Sequence, residues 1–273
     1  MAPIKRLPRE ADLVPISIRV QHAGIILECF ERRESCLSPS VMIVLCNGMP
    51  RSASTWSYNV CLRLLAQDFA PPSIHADFHE SFAVTVSEIA ADFRHLLLKS
   101  HTLDDLGRRM LWLGAVKAIY TYRDPLDAIP SYMRMFGTSF DVAFSAIRDS
   151  VELLRFHQGT GNSCIVSYPS VIRSPFEAIR KVNEYLGLSA DEESLARIAH
   201  ETGIATMKNV ADRIALAPPE SLVRVNGFTY DRRTLLHKDH IRDGASGYGR
   251  AMLSSEQQHM IEDSFPDLIC EPR

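Results

Sequence analysis

CNGMPRSASTW, residues 46–56, follows directly on the apolar run Val41-Met42-Ile43-Val44-Leu45. A short apolar run with β-branched members reads as a strand buried on both faces. Met49-Pro50-Arg51-Ser52-Ala53-Ser54-Thr55 then lies where that strand hands over to a helix, predicted over residues 54–66. A helix N-terminus presents free backbone N–H groups and the positive end of its dipole, so it suits a phosphate. The hydroxyls of Ser52, Ser54 and Thr55 add donors, and Arg51 adds a planar cationic fork. The stretch also reads as a capped helix with a surface arginine. No Gly-Lys-Ser/Thr run is present, so an ATP or GTP loop that presents a hydroxyl to magnesium is not spelled out.

Outward from this loop, strands and helices alternate. HLLLK (95–99), VKAIYTY (116–122) and SCIVSY (163–168) read as further strands, with helices over 84–94, 102–113, 125–136, 140–157 and 175–186. Gly187 closes the last of these at its C-terminus. Short apolar strands separated by helices imply an α/β fold with a parallel central sheet flanked by helices on both faces. Ligands then belong at the carboxyl ends of the strands. From about residue 189 the chain reads as mostly helical, followed by a polar, glycine-bearing stretch at Gly244–Gly249 and a last helix near 254–264.

The whole chain narrows the function classes. With 273 residues, 46% hydrophobic and 23% charged, it can bury a substantial core, and we read residues 1–273 as a single domain. Residues 1–40 lack a clear period and read as an arm or a lid. The formal net charge of −3 supplies no global field toward nucleic acid or an anionic membrane, so any anion site is local. Two prolines and alternating charges in MAPIKRLPREADL break any signal-peptide core, and no run approaches the ~18 apolar residues of a membrane span. A soluble, cytoplasmic protein is expected. Cys29, Cys36, Cys46, Cys61, Cys164 and Cys270 are scattered without a C-x-x-C pair and read as reduced packing residues.

A second anion site follows the VKAIYTY strand. In Tyr122-Arg123-Asp124-Pro125-Leu126-Asp127-Ala128-Ile129-Pro130-Ser131-Tyr132, Asp124 can cap a helix and Pro125 can occupy its first turn. Arg123 then leaves the strand end and Ser131 faces along the helix, with Pro130 expected to kink it. Asp124 also reads as a magnesium-binding carboxylate, which is the best case for a nucleoside-triphosphate enzyme. Leu98-Lys99-Ser100-His101-Thr102 ends its own strand at the same edge, and a neutral imidazole there can accept a hydroxyl proton.

Together these segments resemble the cytosolic sulfotransferases that use 3′-phosphoadenosine 5′-phosphosulfate (PAPS). Pro50-Arg51-Ser52-Ala53-Ser54-Thr55-Trp56 is similar to their 5′-phosphosulfate loop, Pro-Lys-Ser-Gly-Thr-Thr-Trp, with Arg51 for lysine and Ala53 for glycine. Arg123, Pro125, Asp127, Ser131 and Tyr132 fall in register with the 3′-phosphate motif. Lys99 and His101 match a Lys-Thr-His segment, and His101 stands 22 positions before Arg123, as in the family. Three weaker matches follow in order. Tyr168 stands where the family has Tyr-Glu-Asp. Thr202–Lys208, with Ile204 and Met207, resembles a segment that closes over the adenine. Arg242-Asp243-Gly244 resembles a late Arg-Lys-Gly loop over the 3′-phosphate, with Asp243 placing a like charge beside that phosphate.

The resemblance implies a P-loop-NTPase-like sulfotransferase fold, PAPS as co-substrate, PAP (adenosine 3′,5′-bisphosphate) as product and no metal. It makes His101 the general base. Arg51 and Lys99 stabilise charge on the sulfuryl group, Ser131 helps bind the nucleotide, and Trp56 is the main candidate to stack on the adenine. A P-loop kinase or NTPase, and a catalytically silent PAP- or PAPS-binding protein, are the alternatives; retention of His101 argues against the second. The acceptor is a small molecule with a hydroxyl or amine, held by segments 72–90, 132–145 and 210–242, where Phe78, Phe82, Phe136 and Phe140 offer apolar walls or core. His75-x-Asp-x-His79 and His237-x-x-His240 have ligand-like composition but no cysteine partners and lie in polar, loop-like sequence. The C-terminal dimer segment of animal relatives is not visible, which leaves the oligomeric state open.

Overall fold

The computed structural model of the protein describes residues 16–21, 24–29, 41–70, 73–88, 95–225, 227–238, 241, 244 and 247–269. Strands β1 (Ile16–Gln21) and β2 (Gly24–Cys29) pair antiparallel, and the rest of the expected arm or lid lies outside the described residues. The main sheet begins at β3 (Met42–Gly48), which leads through the 49–53 loop into α1 (Ser54–Asp68). Then come β4 (Ile74–Phe78), α2 (Phe82–Glu88), β5 (His95–Ser100), α3 (Asp105–Trp112), β6 (Lys117–Tyr122) and α4 (Pro125–Phe136). After α5 (Phe140–Thr160) and β7 (Ser163–Ser167), the chain forms α6 (Tyr168–Arg173), α7 (Pro175–Leu186), α8 (Glu192–Glu201) and α9 (Ile204–Asp212). A hairpin, β8 (Leu222–Val225) and β9 (Phe228–Asp231), and the helix α10 (Ser255–Ser264) complete it.

The five strands β4-β5-β3-β6-β7 form one parallel sheet in that order. From β3 the chain goes to the edge strand β4, returns inward to β5 and then crosses to β6 and β7 on the other side, so the carboxyl end of β3 is a switch point of the kind that opens a crevice. Alternation along β3 feeds two cores. Val44 and Cys46 pack with Tyr58, Cys61 and Leu65 of α1 and Ile179 and Val182 of α7. Ile43 and Leu45 pack on the opposite face with Met110 and Leu111 of α3 and Leu153 and Leu154 of α5. Cys46, Cys61 and Cys164 are free and buried, as the sequence reading expects. Among the described residues no helix is long and apolar enough to cross a membrane.

The helices begin and end where local chemistry dictates. Asp104, Asp124 and Asp191 each accept a first-turn N–H at the starts of α3, α4 and α8. Gly187 ends α7 at φ 72°. Three features depart from the sequence reading. IHADF forms the edge strand β4, so His75 lies in a strand and not in a loop. Ser167 ends β7 and Tyr168 opens a short helix. The stretch after residue 189, expected to be mostly helical, includes the β8–β9 hairpin.

Candidate active site

The turn after β3 is built to hold its backbone close to β6. A Cβ on Gly48 would fall 2.2 Å from Thr121 Oγ1, so only glycine allows the approach, and the Met49 N–H donates to the Thr121 carbonyl at 2.9 Å. The Ser52 hydroxyl is turned inward among Met49 O at 2.6 Å, Thr121 O at 2.8 Å and Thr121 Oγ1 at 2.9 Å. That corrects the expectation that Ser52 offers a hydroxyl to a ligand: its side chain and its N–H both serve the turn. Arg51 and Ala53 take left-handed backbone at φ 67° and 74°, and Ala53 caps α1 without a side-chain bond. The first-turn N–H groups of α1 therefore stand at the cleft without a cap from residue 53.

His101 is fixed by this same turn. Its Nδ1 lies 2.8 Å from the Gly48 carbonyl oxygen, which only accepts, so Nδ1 carries the proton and Nε2 has the lone pair. Nε2 faces Lys99 Nζ at 3.3 Å. Asn47 donates to the Thr102 carbonyl at 2.9 Å, holding the residue that follows the histidine. Burial first, then the charge of Lys99, pushes the His101 imidazole down to about 3, so it is neutral at physiological pH. Burial lowers Lys99 to about 8; its ammonium sits 5.0 Å above the Phe78 ring.

Beyond Lys99 the cleft becomes cationic. Arg51 donates from Nε to Ser131 Oγ at 3.1 Å, joining the β3 loop to α4 across 80 positions. Arg123 is 5% exposed at the end of β6, 3.4 Å from the Asp127 carboxylate and 4.1 Å over the Tyr168 ring. Burial lowers the Arg51 pKa, opposed by Tyr248 and reinforced by the charges of Arg123 and Arg134. Arginine remains charged in such a setting, so the three guanidiniums suit this end to an anion. Asp124 caps α4 through the Leu126 N–H at 2.9 Å and does not line the cleft. The helix runs on through Pro130.

One cleft of about 670 Å³ brings these groups together. Pro50, Arg51, Ala53, Ser54, Thr55 and Trp56 line it from the β3 loop and the start of α1, with Lys99, His101 and Arg123 from the other strand ends and Ser131 from α4. Tyr168, Ile204, Met207 and Gly244 reach it from later elements, Gly244 so close to Ile204 that a Cβ would fall 2.3 Å from its Cδ1. Arg242, Asp243 and His240 lie outside the described residues. Phe78, beside Lys99 and His101, and Phe136, Val223, Phe228, Tyr230 and Leu236 give the cleft its apolar lining. Phe82 and Phe140 belong to the core.

The sulfotransferase domain family matches residues 42–217, well over half of the chain. The chain belongs to the sulfotransferase family. The structure is similar to that of mouse sulfotransferase SULT7A1 complexed with PAP, at 15% identity over 83% of this chain and 82% of that one, TM-score 0.59. It is also similar to retinol dehydratase in complex with androsterone and inactive cofactor PAP, at 14% identity over 85% and 82%, TM-score 0.60. At such identities the likeness carries the fold, a P-loop-like sulfotransferase fold. No curated protein matches the chain.

Several residues of this sulfotransferase cleft escape a motif reading. Arg134 lines it one helical turn beyond Ser131; the i, i+3 spacing on one helix face was a usable signal. His237, which the sequence reading does single out and whose segment it gives to the acceptor, lines the cleft 5.1 Å from both the Phe228 and Tyr230 rings, with Nδ1 2.6 Å from the Lys238 carbonyl. Tyr248 reaches the cationic end from a segment without periodicity.

Proposed function

We propose that the protein transfers a sulfuryl group from PAPS to a hydroxyl or amine of a small-molecule acceptor, with His101 as general base. PAPS supplies an activated sulfuryl group on a phosphate leaving group. The cationic end suits such a ligand: open N–H groups of α1, the hydroxyls of Ser54 and Thr55, and Arg51 would receive the phosphosulfate. Arg123 and Ser131 would hold the 3′-phosphate, and Trp56, Ile204 and Met207 would border the adenine.

What supports this reading most is the place of His101. Its proton-bearing nitrogen is tied to Gly48 and its basic nitrogen faces Lys99, with the Phe78 ring 6.4 Å away and the charge of Arg51 close enough to act on the imidazole. An acceptor hydroxyl that takes the place of the Lys99 contact gives its proton to Nε2 as it attacks. The positive charge then placed on the imidazole is offset by negative charge developing on the leaving oxygen, which Lys99 and Arg51 stabilise. Fixing both partners in one cleft supplies the orientation that an in-line transfer requires.

The test is PAP release from PAPS in the presence of phenols, steroid alcohols and arylamines, followed by chromatography. PAP formation that depends on the acceptor supports the reading. PAP binding without turnover on any acceptor would replace it with a silent nucleotide-binding protein.

A further inference from the structure

The segment 247–249 is fastened to α4 from 120 positions away. Asp127 Oδ2 accepts the Gly247 N–H at 2.8 Å and Oδ1 accepts the Gly249 N–H at 3.0 Å, while Arg123 lies 3.4 Å from the same carboxylate. Asp127 is 4% exposed, so water does not compete for these bonds, and a carboxylate buried there without them would be strongly disfavoured. Gly249 packs so tightly that a Cβ would fall 1.7 Å from the Leu126 carbonyl oxygen. That carbonyl is the one Pro130, lacking an N–H, cannot bond. The segment thus lies over the gap in the helix's own ladder.

Tyr248 stands between the two fastened glycines. It lines the cleft, with its ring 5.7 Å from the Arg123 guanidinium carbon and 5.9 Å from that of Arg134. We infer that Asp127 is a positioning residue that latches the 247–249 segment, so that Tyr248 and Arg134 close the cationic end over the 3′-phosphate of the nucleotide. The inference rests on the PAPS reading. A phenol O–H and a planar guanidinium fork are both donors suited to phosphate oxygens. The latch sets the Tyr248 phenol beside Arg134, which α4 itself carries, at the end of the cleft where Arg123 already stands.

Calorimetric titration with PAP and with adenosine 5′-monophosphate, which lacks the 3′-phosphate, tests it. The wild type should prefer PAP. Asp127→Ala and Tyr248→Ala should each weaken PAP by about tenfold, the size of one hydrogen bond to a charged group, and leave the monophosphate unchanged. The double variant should lose less than the two single losses combined. Asp127→Asn, which keeps the volume and one acceptor oxygen, covers the case in which the alanine variant does not fold; it should lie between wild type and Tyr248→Ala. A PAP preference retained in Asp127→Asn and Tyr248→Ala would overturn the latch. Failure of the wild type itself to bind PAP would instead count against the PAPS reading.

Discussion

The Nδ1 atom of His101 lies 2.8 Å from the carbonyl oxygen of Gly48, in a turn whose own position depends on close contact with Thr121. One tautomer of the imidazole is thereby selected, and its basic nitrogen looks into the cleft. His101→Ala should lower turnover by about 10²–10⁴, the range of general acid–base catalysis, with PAP affinity kept within about twofold. Turnover at the wild-type rate would remove His101 from the chemistry.

The pH profile follows from the Lys99–His101 pair. With its pKa pushed to about 3, the buried His101 of the free enzyme stays unprotonated through the mildly acidic range, so kcat/KM should not fall between about pH 7 and 5.5 on its account. Lys99, lowered to about 8 by burial, is charged below that pH and neutral above it. Activity should therefore decline as pH rises through about 8. Lys99→Arg, which keeps the charge at all working pH values, should move that limb upward, whatever its effect on the plateau; an alkaline limb unmoved in this variant would separate it from Lys99.

Buried His157 links stability to pH. Its Nδ1 bonds Ser163 Oγ at 2.8 Å while Nε2 has no partner, and burial, then the charge of Arg108, pushes its pKa from 6.5 to about 3. The unfolded chain takes up a proton that the folded one refuses, so stability falls as pH drops below about 6.5. By pH 5 this single group costs about 2 kcal/mol. His157→Phe should flatten that slope in denaturant titrations at pH 7 and pH 5; an unchanged slope would assign it to other groups.

Ala53 holds left-handed backbone at φ 74°, a conformation that glycine adopts without a Cβ penalty. Ala53→Gly should raise the unfolding free energy by about 1 kcal/mol, measured as a shift in urea midpoint at unchanged m-value. A loss of stability would mean that the chain entropy of glycine outweighs the relief of strain.

What was legible in the sequence has a local cause. The helices Pro125–Phe136 and Pro175–Leu186 have the bounds that proline at the start and glycine at the end predict. The strand-to-helix junctions after β3, β5 and β6 could be read because buried parallel strands are continuous apolar runs. The edge strand β4 could not, since IHADF is half-exposed and carries polar residues. Four-residue strands such as β8 and β9 leave too few residues to show a period. In the site, residue types showed which groups could bind an anion but not which way they point. Ser52 faces Thr121, and Tyr248 stands in the cleft between two glycines whose N–H groups bond Asp127, more than a hundred positions away.

The proposed reaction needs a site that takes a 3′-phosphorylated adenosine nucleotide without metal. Calorimetric titration of the wild type and Arg123→Ala with PAP in the presence of a chelator, and with magnesium-ATP, tests it most directly. Tight PAP binding without metal, lost in Arg123→Ala, and weaker binding of magnesium-ATP are expected. Preference for magnesium-ATP, or PAP binding indifferent to Arg123, would contradict it.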